Sequence, residues 1–149
     1  MKLLHQNSHQ CLLYSAAMVL GEDPAVLLRE IGHDGLDIWW SELYQPYCHR
    51  GHHIQEIIDC FVRRGFGLMP IQVYPTSKPR VADVEIKQIY QEDVAVGRFL
   101  AHIGNRPAIL IGASHSYAWD GEKVFDPNGV TREIADVNIM EAWIMTKLI

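Results

Sequence analysis

The stretch His115-Ser-Tyr-Ala-Trp-Asp120-Gly121-Glu-Lys-Val-Phe-Asp126-Pro127 reads as a β-hairpin closed by a tight Asp-Gly turn. A two-residue Asp-Gly loop favours the primed turn types, whose twist matches that of the flanking strands. Centring the turn on Asp120-Gly121 pairs Trp119 with Glu122 and carries the register out to His115 opposite Asp126. Opposed residues of an antiparallel pair share a face, so the imidazole and the carboxylate are expected side by side. A carboxylate there holds the imidazole in one tautomer and stabilises it when charged, as a general base serving a nucleophile requires.

On the N-terminal side of this hairpin, Pro107-Ala-Ile-Leu-Ile-Gly112 is a short apolar run bounded by breakers, which fits a buried strand. On its C-terminal side, Ala142 to Ile149 fits a last strand, and Gly67 to Tyr74 an earlier one. Before these lie helices. Cys11 to Leu20 is apolar and rich in helix formers, with Asn7 or Ser8 as N-cap and Gly21 as its stop. Asp23-Pro24 supplies a cap and a first-turn proline for a second helix ending at Gly32. In His53 to Arg64, Ile54, Ile57, Ile58, Phe61 and Val62 recur at helical spacing, and Val94 to Ile103 fits a fourth helix closed by Gly104. The chain from His33 to Arg50 lacks clean periodicity and reads as loop and irregular helix. Helices early and strands late predict an α+β domain, with N-terminal helices packed on a C-terminal antiparallel sheet.

At 149 residues and 48% hydrophobic content, one domain spanning 1–149 is expected. A net charge of -5 without a lysine or arginine run argues against nucleic acid and against a polybasic membrane anchor. The one basic cluster, Arg63-Arg64, reads as solvated. The polar segment His5-Gln-Asn-Ser-His-Gln10 precedes the first apolar run, the wrong order for a secretory signal. No apolar run approaches the ~20 residues of a membrane span. Cys11, Cys48 and Cys60 then read as free thiols in a reducing compartment, so a cytoplasmic location is expected. Four Trp and six Tyr are read chiefly as core.

Of the three cysteines, Cys11 alone stands at a helix start, where unpaired backbone N–H groups and the positive dipole end favour an anion. Cys60 falls within a helix and Cys48 in an irregular loop, so both read as ordinary small residues. The polar residues before Cys11 include amides able to donate to a developing oxyanion, together with the Cys11 backbone N–H. Gln6 is the chosen donor and Gln10 the second candidate.

Together, Gln6, Cys11, the helical run Ala16-Ala-Met-Val-Leu-Gly21, the block Pro107 to Gly112, His115, and Asp126-Pro127 resemble the papain-like cysteine peptidases. Within these, the chain is most similar to the bacteriocin-processing peptidase domains and the related small proteins of bacteria and phages. The resemblance spans nearly the whole chain and implies a papain-like fold, a Cys11 nucleophile, a His115 base, an orienting Asp126 and an oxyanion donor at Gln6. No cofactor and no metal are expected. Gln6 stands one residue nearer the cysteine than the family pattern has it; His5 takes the usual place, and Leu12 follows the cysteine where a glycine is common.

The expected reaction is hydrolysis of a peptide or protein amide bond. The same thioester intermediate also serves deamidation or acyl transfer, and a scaffold of this kind can act as a non-catalytic binding surface. Cys48-His49-Arg-Gly-His52-His53 contains zinc-ligand types but no Cys-x-x-Cys pair. Asp34 to Arg50 and Tyr74 to Asp83 are the expected cleft walls, and Trp119 is either a shield over the His115–Asp126 pair or a core residue. The oligomeric state is not legible in the sequence.

Overall fold

In the computed structural model, the described residues are 1–7, 9–45, 47–72, 80–81, 84–85, 103–112 and 114–149. Helix α1 (Cys11–Leu20) buries Leu13, Ala16, Ala17 and Met18, and Gly21 ends it in the left-handed conformation. Its N-cap is Gln10 rather than Asn7; Ser8 lies outside the described residues. Asp23 caps α2 (Pro24–Ile31) by accepting from Ala25 N–H at 2.9 Å, with Pro24 at the first turn as expected. Helix α3 (Ile54–Val62) is shorter at both ends than predicted; the Glu56 carboxylate accepts from the His53 N–H at its start.

Arg63 is exposed, as the solvated reading expects, whereas Arg64 corrects it. Arg64 bonds Glu22 at 2.6 Å and Glu30 at 2.9 Å, and Arg63 bonds Glu30, tying the end of α3 to α2. The predicted helix Val94 to Ile103 lies outside the described residues except for Ile103, which is buried.

The strands are β1 (Phe66–Gln72), the two-residue pair β2 (Arg80–Val81) and β3 (Val84–Glu85), then β4 (Ala108–Ile111), β5 (Ser116–Trp119), β6 (Val124–Asp126), β7 (Val130–Arg132) and β8 (Glu141–Lys147). Six of them form one sheet in the order β1-β8-β4-β5-β6-β7, every pairing antiparallel. The α+β expectation therefore holds. Strand β1 is an edge, which is where Pro70, lacking a ladder N–H, is tolerated.

Side-chain alternation divides the core between the two faces of this sheet. Ile109 and Ala118 face the helices with Leu13, Ala17, Leu27, Ile57 and Phe61. Ala108, Leu110, Trp119 and Val124 face the other way, with Val137, Ile139 and Ile144. A large apolar side chain buried this way stabilises by about 1.5–3 kcal/mol.

The hairpin register differs from the prediction. Trp119 pairs with Val124 and Ala118 with Phe125. Asp120 opens the turn: its N–H meets the Lys123 carbonyl, and its carboxylate accepts from the Glu122 and Lys123 N–H groups at 2.9 and 2.8 Å. The turn therefore centres on Gly121-Glu122. Pairing Trp119 with Glu122 would have set a charged residue beside a buried indole, whereas Val124 is itself fully buried. Moving the turn by one residue moves each partner by two, which preserves the face. Tyr117 thus falls opposite Asp126, and His115 lies diagonal to it on the same side.

In the predicted wall Asp34 to Arg50, every residue but 46 is described, and Ile38 bridges to His49. Here the core reading of the aromatics is corrected: Trp39, Trp40, Tyr44 and Tyr47 are all exposed, Tyr44 at 90%. Arg50 lies over the Trp39 ring at 4.7 Å. Of the other wall, Tyr74 to Asp83, only 80–81 are described. Among the described residues, no single helix is long and apolar enough to cross a membrane.

Candidate functional site

Cys11 is the first residue of α1, so its own backbone N–H has no partner within the helix. His115 sits one residue before β5 and Asp126 ends β6. Helix α1 packs against these two strands, and this contact brings the front of the chain to the hairpin. His115 Nε2 lies 2.8 Å from Asp126 Oδ1, leaving Nδ1 as the ring nitrogen for the Cys11 thiol. Gln6, Cys11, His115 and Asn128 line one cavity of about 650 Å³, whose far wall includes Tyr47 and His49.

Ionisation follows from these contacts. Burial raises the Cys11 thiol, but hydrogen bonds from His115 and Ser116, with the imidazole charge, outweigh burial and bring it below its ordinary value. Burial alone would lower His115; its hydrogen bonds to Cys11 and Asp126 outweigh that and raise it. Thiol down and imidazole up both favour the thiolate–imidazolium pair. Cys60 moves the other way: burial, then the charge of Glu30, raise it.

Asp126 is buried, 1% exposed as a whole residue. Oδ1 accepts from His115 and, at 2.9 Å, from the Asn128 N–H, and Oδ2 accepts from Arg132 Nε at 2.8 Å. Burial raises its pKa, and these three donors outweigh burial to hold it below the usual carboxylate range. It is ionised at neutral pH.

Gln6 lies at the cavity while its neighbour His5 points away, beside Gly129. Alternation along this segment puts the two neighbouring side chains on opposite sides. The Gln6 backbone N–H donates to the Pro127 carbonyl at 2.7 Å, its Nε2 to Asn128 Oδ1 at 2.8 Å, and its Oε1 accepts from Gln10 N–H at 3.0 Å. Gln10, the second candidate, is buried away from the cavity, with its amide given to the Asp34 carbonyl.

The chain matches no family model, no curated protein and no solved structure. The reading of the site therefore rests on its own geometry.

Three residues near the pair escaped the sequence reading. Ser116 is buried, bonds the thiol and lies 3.4 Å from Ser15 of α1. Its signal was present: Cys11 and Ser15 are four residues apart and share a helix face, so a polar partner for Ser15 was required. Arg132 belongs to β7, a short exposed strand without an apolar alternation to announce it, and Asn128 to the turn before it, bridged to His5. Trp119 resolves as core, its indole donating to the Gly104 carbonyl at 3.1 Å on the sheet face away from the helices. Among the described residues, no three His, Cys, Asp or Glu side chains gather as a metal site; Cys48 is buried and His52 stacks on His33.

Proposed function

We propose that this chain is a papain-like cysteine amide hydrolase acting on peptide or protein substrates. The observation that carries this reading is the Cys11–His115–Asp126 relay: a thiol at a helix N-terminus hydrogen-bonded to an imidazole whose other nitrogen lies 2.8 Å from a buried carboxylate.

In this reading the Cys11 thiolate attacks the amide carbonyl carbon. The developing oxyanion accepts hydrogen bonds from the Cys11 backbone N–H and from the Gln6 amide, which has two N–H groups and gives only one to Asn128. Protonated His115 delivers its proton to the leaving amine as the C–N bond breaks, leaving a thioester on Cys11. Neutral His115 then takes a proton from water, which attacks the thioester and releases the acid and the thiolate. Asp126 holds the ring orientation throughout.

The test is Cys11→Ala alongside labelling of the wild-type chain with an electrophilic epoxide. The variant is expected to lose all turnover while keeping its thermal midpoint. The epoxide is expected to modify Cys11 at neutral pH and to spare the buried Cys48 and Cys60. Turnover in Cys11→Ala, or equal slow labelling of all three thiols only under alkaline conditions, overturns the reading.

A further inference from the structure

Among the described residues, Arg132 is the one arginine or lysine bonded to the buried Asp126 carboxylate, beside the His115 ring. Its Nε donates to Asp126 Oδ2 at 2.8 Å, on the oxygen that His115 does not use. The Arg132 side chain is 43% exposed while that of Asp126 is 2% exposed, so this contact joins a buried carboxylate to a guanidinium that reaches solvent.

This placement has a chemical consequence. A carboxylate bonded to imidazolium alone places its whole charge on that partner and makes it a reluctant acid toward a leaving amine. A second cation on the other oxygen takes up part of the charge and fixes the plane of the carboxylate. Resting on the amide-hydrolase reading above, we propose that Arg132 is a positioning residue of this site: it orients Asp126, shares its charge, and so sets the pH window in which the Cys11 thiolate and the His115 imidazolium coexist.

The other groups facing the pair are Tyr117, whose ring meets His115 edge-on at 4.8 Å, and His9, His49, His52 and His53 around the cavity. Asp136 acts on Arg132 from the turn after β7. A substitution at Arg132 leaves the chemical identity of all of these unchanged, and the conservative Arg132→Lys variant separates its charge from theirs.

The sign is fixed by electrostatics. Removing a nearby cation disfavours the thiolate and favours the imidazolium, so both limbs of the window move to higher pH. Losing the Asp126 charge instead would lower the upper limb, because the imidazolium loses its anion.

The experiment follows alkylation of Cys11 by iodoacetamide in the full chain, across acidic to alkaline pH, with mass spectrometry of the Cys11 peptide. Arg132→Met is expected to move both inflections upward and to slow alkylation on the acid limb by about threefold, the effect of one half-exposed charge. Arg132→Gln, which keeps a donor without the charge, is expected to do the same and serves if the Met variant fails to fold. Arg132→Lys is expected to restore most of the wild-type profile. Unmoved inflections in the neutral variants, or an upper inflection that moves down, overturn the proposal. A wild-type Cys11 that reacts only in the ordinary thiol range sinks the hydrolase reading itself, which is a different outcome from a shifted wild-type profile with unmoved variants.

Discussion

Gln6 and Gln10 carry the same side chain four residues apart, yet one reaches the cavity and the other is buried against Asp34. Substitution separates their roles. In the proposed hydrolysis Gln6→Ala would remove an oxyanion donor, and it is expected to lower kcat by about 10²–10³ with little change in KM. Gln10→Ala leaves the Asp34 carbonyl short of a partner, so it is expected to lower the thermal midpoint while kcat stays within a few-fold. Steady-state kinetics and melting curves on the two variants check this; the reverse pattern would transfer the donor role to Gln10. Asp126→Asn is expected to cost about 10²–10⁴ in kcat, less than Cys11→Ala, because the thiol and the oxyanion donors remain. Its pH profile carries the sign: His115 is raised in part by Asp126, so the alkaline limb of kcat/KM moves down when that charge is removed. These site residues were legible because each has a chemical type that a helix start or a strand pair constrains. Arg132 was not, since an isolated arginine in a polar segment carries no such constraint.

At the scale of elements, the Asp-Gly signal located the hairpin but not the centre of its turn. Local propensity allowed either centre, and the burial of Trp119 against Val124 decided between them. Gly121 now bears the demand: its φ is +107°, and a Cβ there would lie 2.5 Å from the Asn105 carbonyl oxygen. Gly121→Ala is therefore expected to destabilise the fold by about 1–3 kcal/mol. Urea unfolding measures it, and a variant within about 0.5 kcal/mol of wild type would mean that Gly121 is not held in this conformation. Helices α1 to α3 were legible from caps, glycines and apolar spacing, with errors of a residue or two at their ends. Strand β7 was not, because its three residues are all exposed and only pairing with β6 defines it. The aromatics of residues 33–50 were misread as core because composition reports hydrophobicity without saying which surface a loop presents.

For the whole molecule, the α+β arrangement followed from the order of the elements, while its response to acid follows from contacts that only the fold creates. Glu30 is lowered by hydrogen bonds from Arg64, against a smaller cost of burial. Burial raises Glu56, but the His53 N–H and the His33 ring, 2.6 Å away, outweigh it and lower the group. Asp126 is lowered in the same sense. A carboxylate depressed in the folded state contributes stability above its unfolded pKa of roughly 4, and loses it as pH falls through the folded value. His52 is lowered by burial, so the unfolded chain takes up that proton first, below roughly pH 6.5, and stability begins to decline there. His115 is raised, and its contribution is present below its unfolded pKa and lost as pH rises through the folded one. On acidification the two histidines oppose each other, and the carboxylates then act together. The thermal midpoint is thus expected to change little from neutral pH to about 5 and to fall steeply below about 4. Glu56→Gln is expected to lower the midpoint at neutral pH and to flatten the acid fall, because the group lost to protonation is already absent. A midpoint that holds or rises below pH 4, or a Glu56→Gln curve parallel to wild type, would mean that these carboxylates do not hold the folded state together in the way their contacts require.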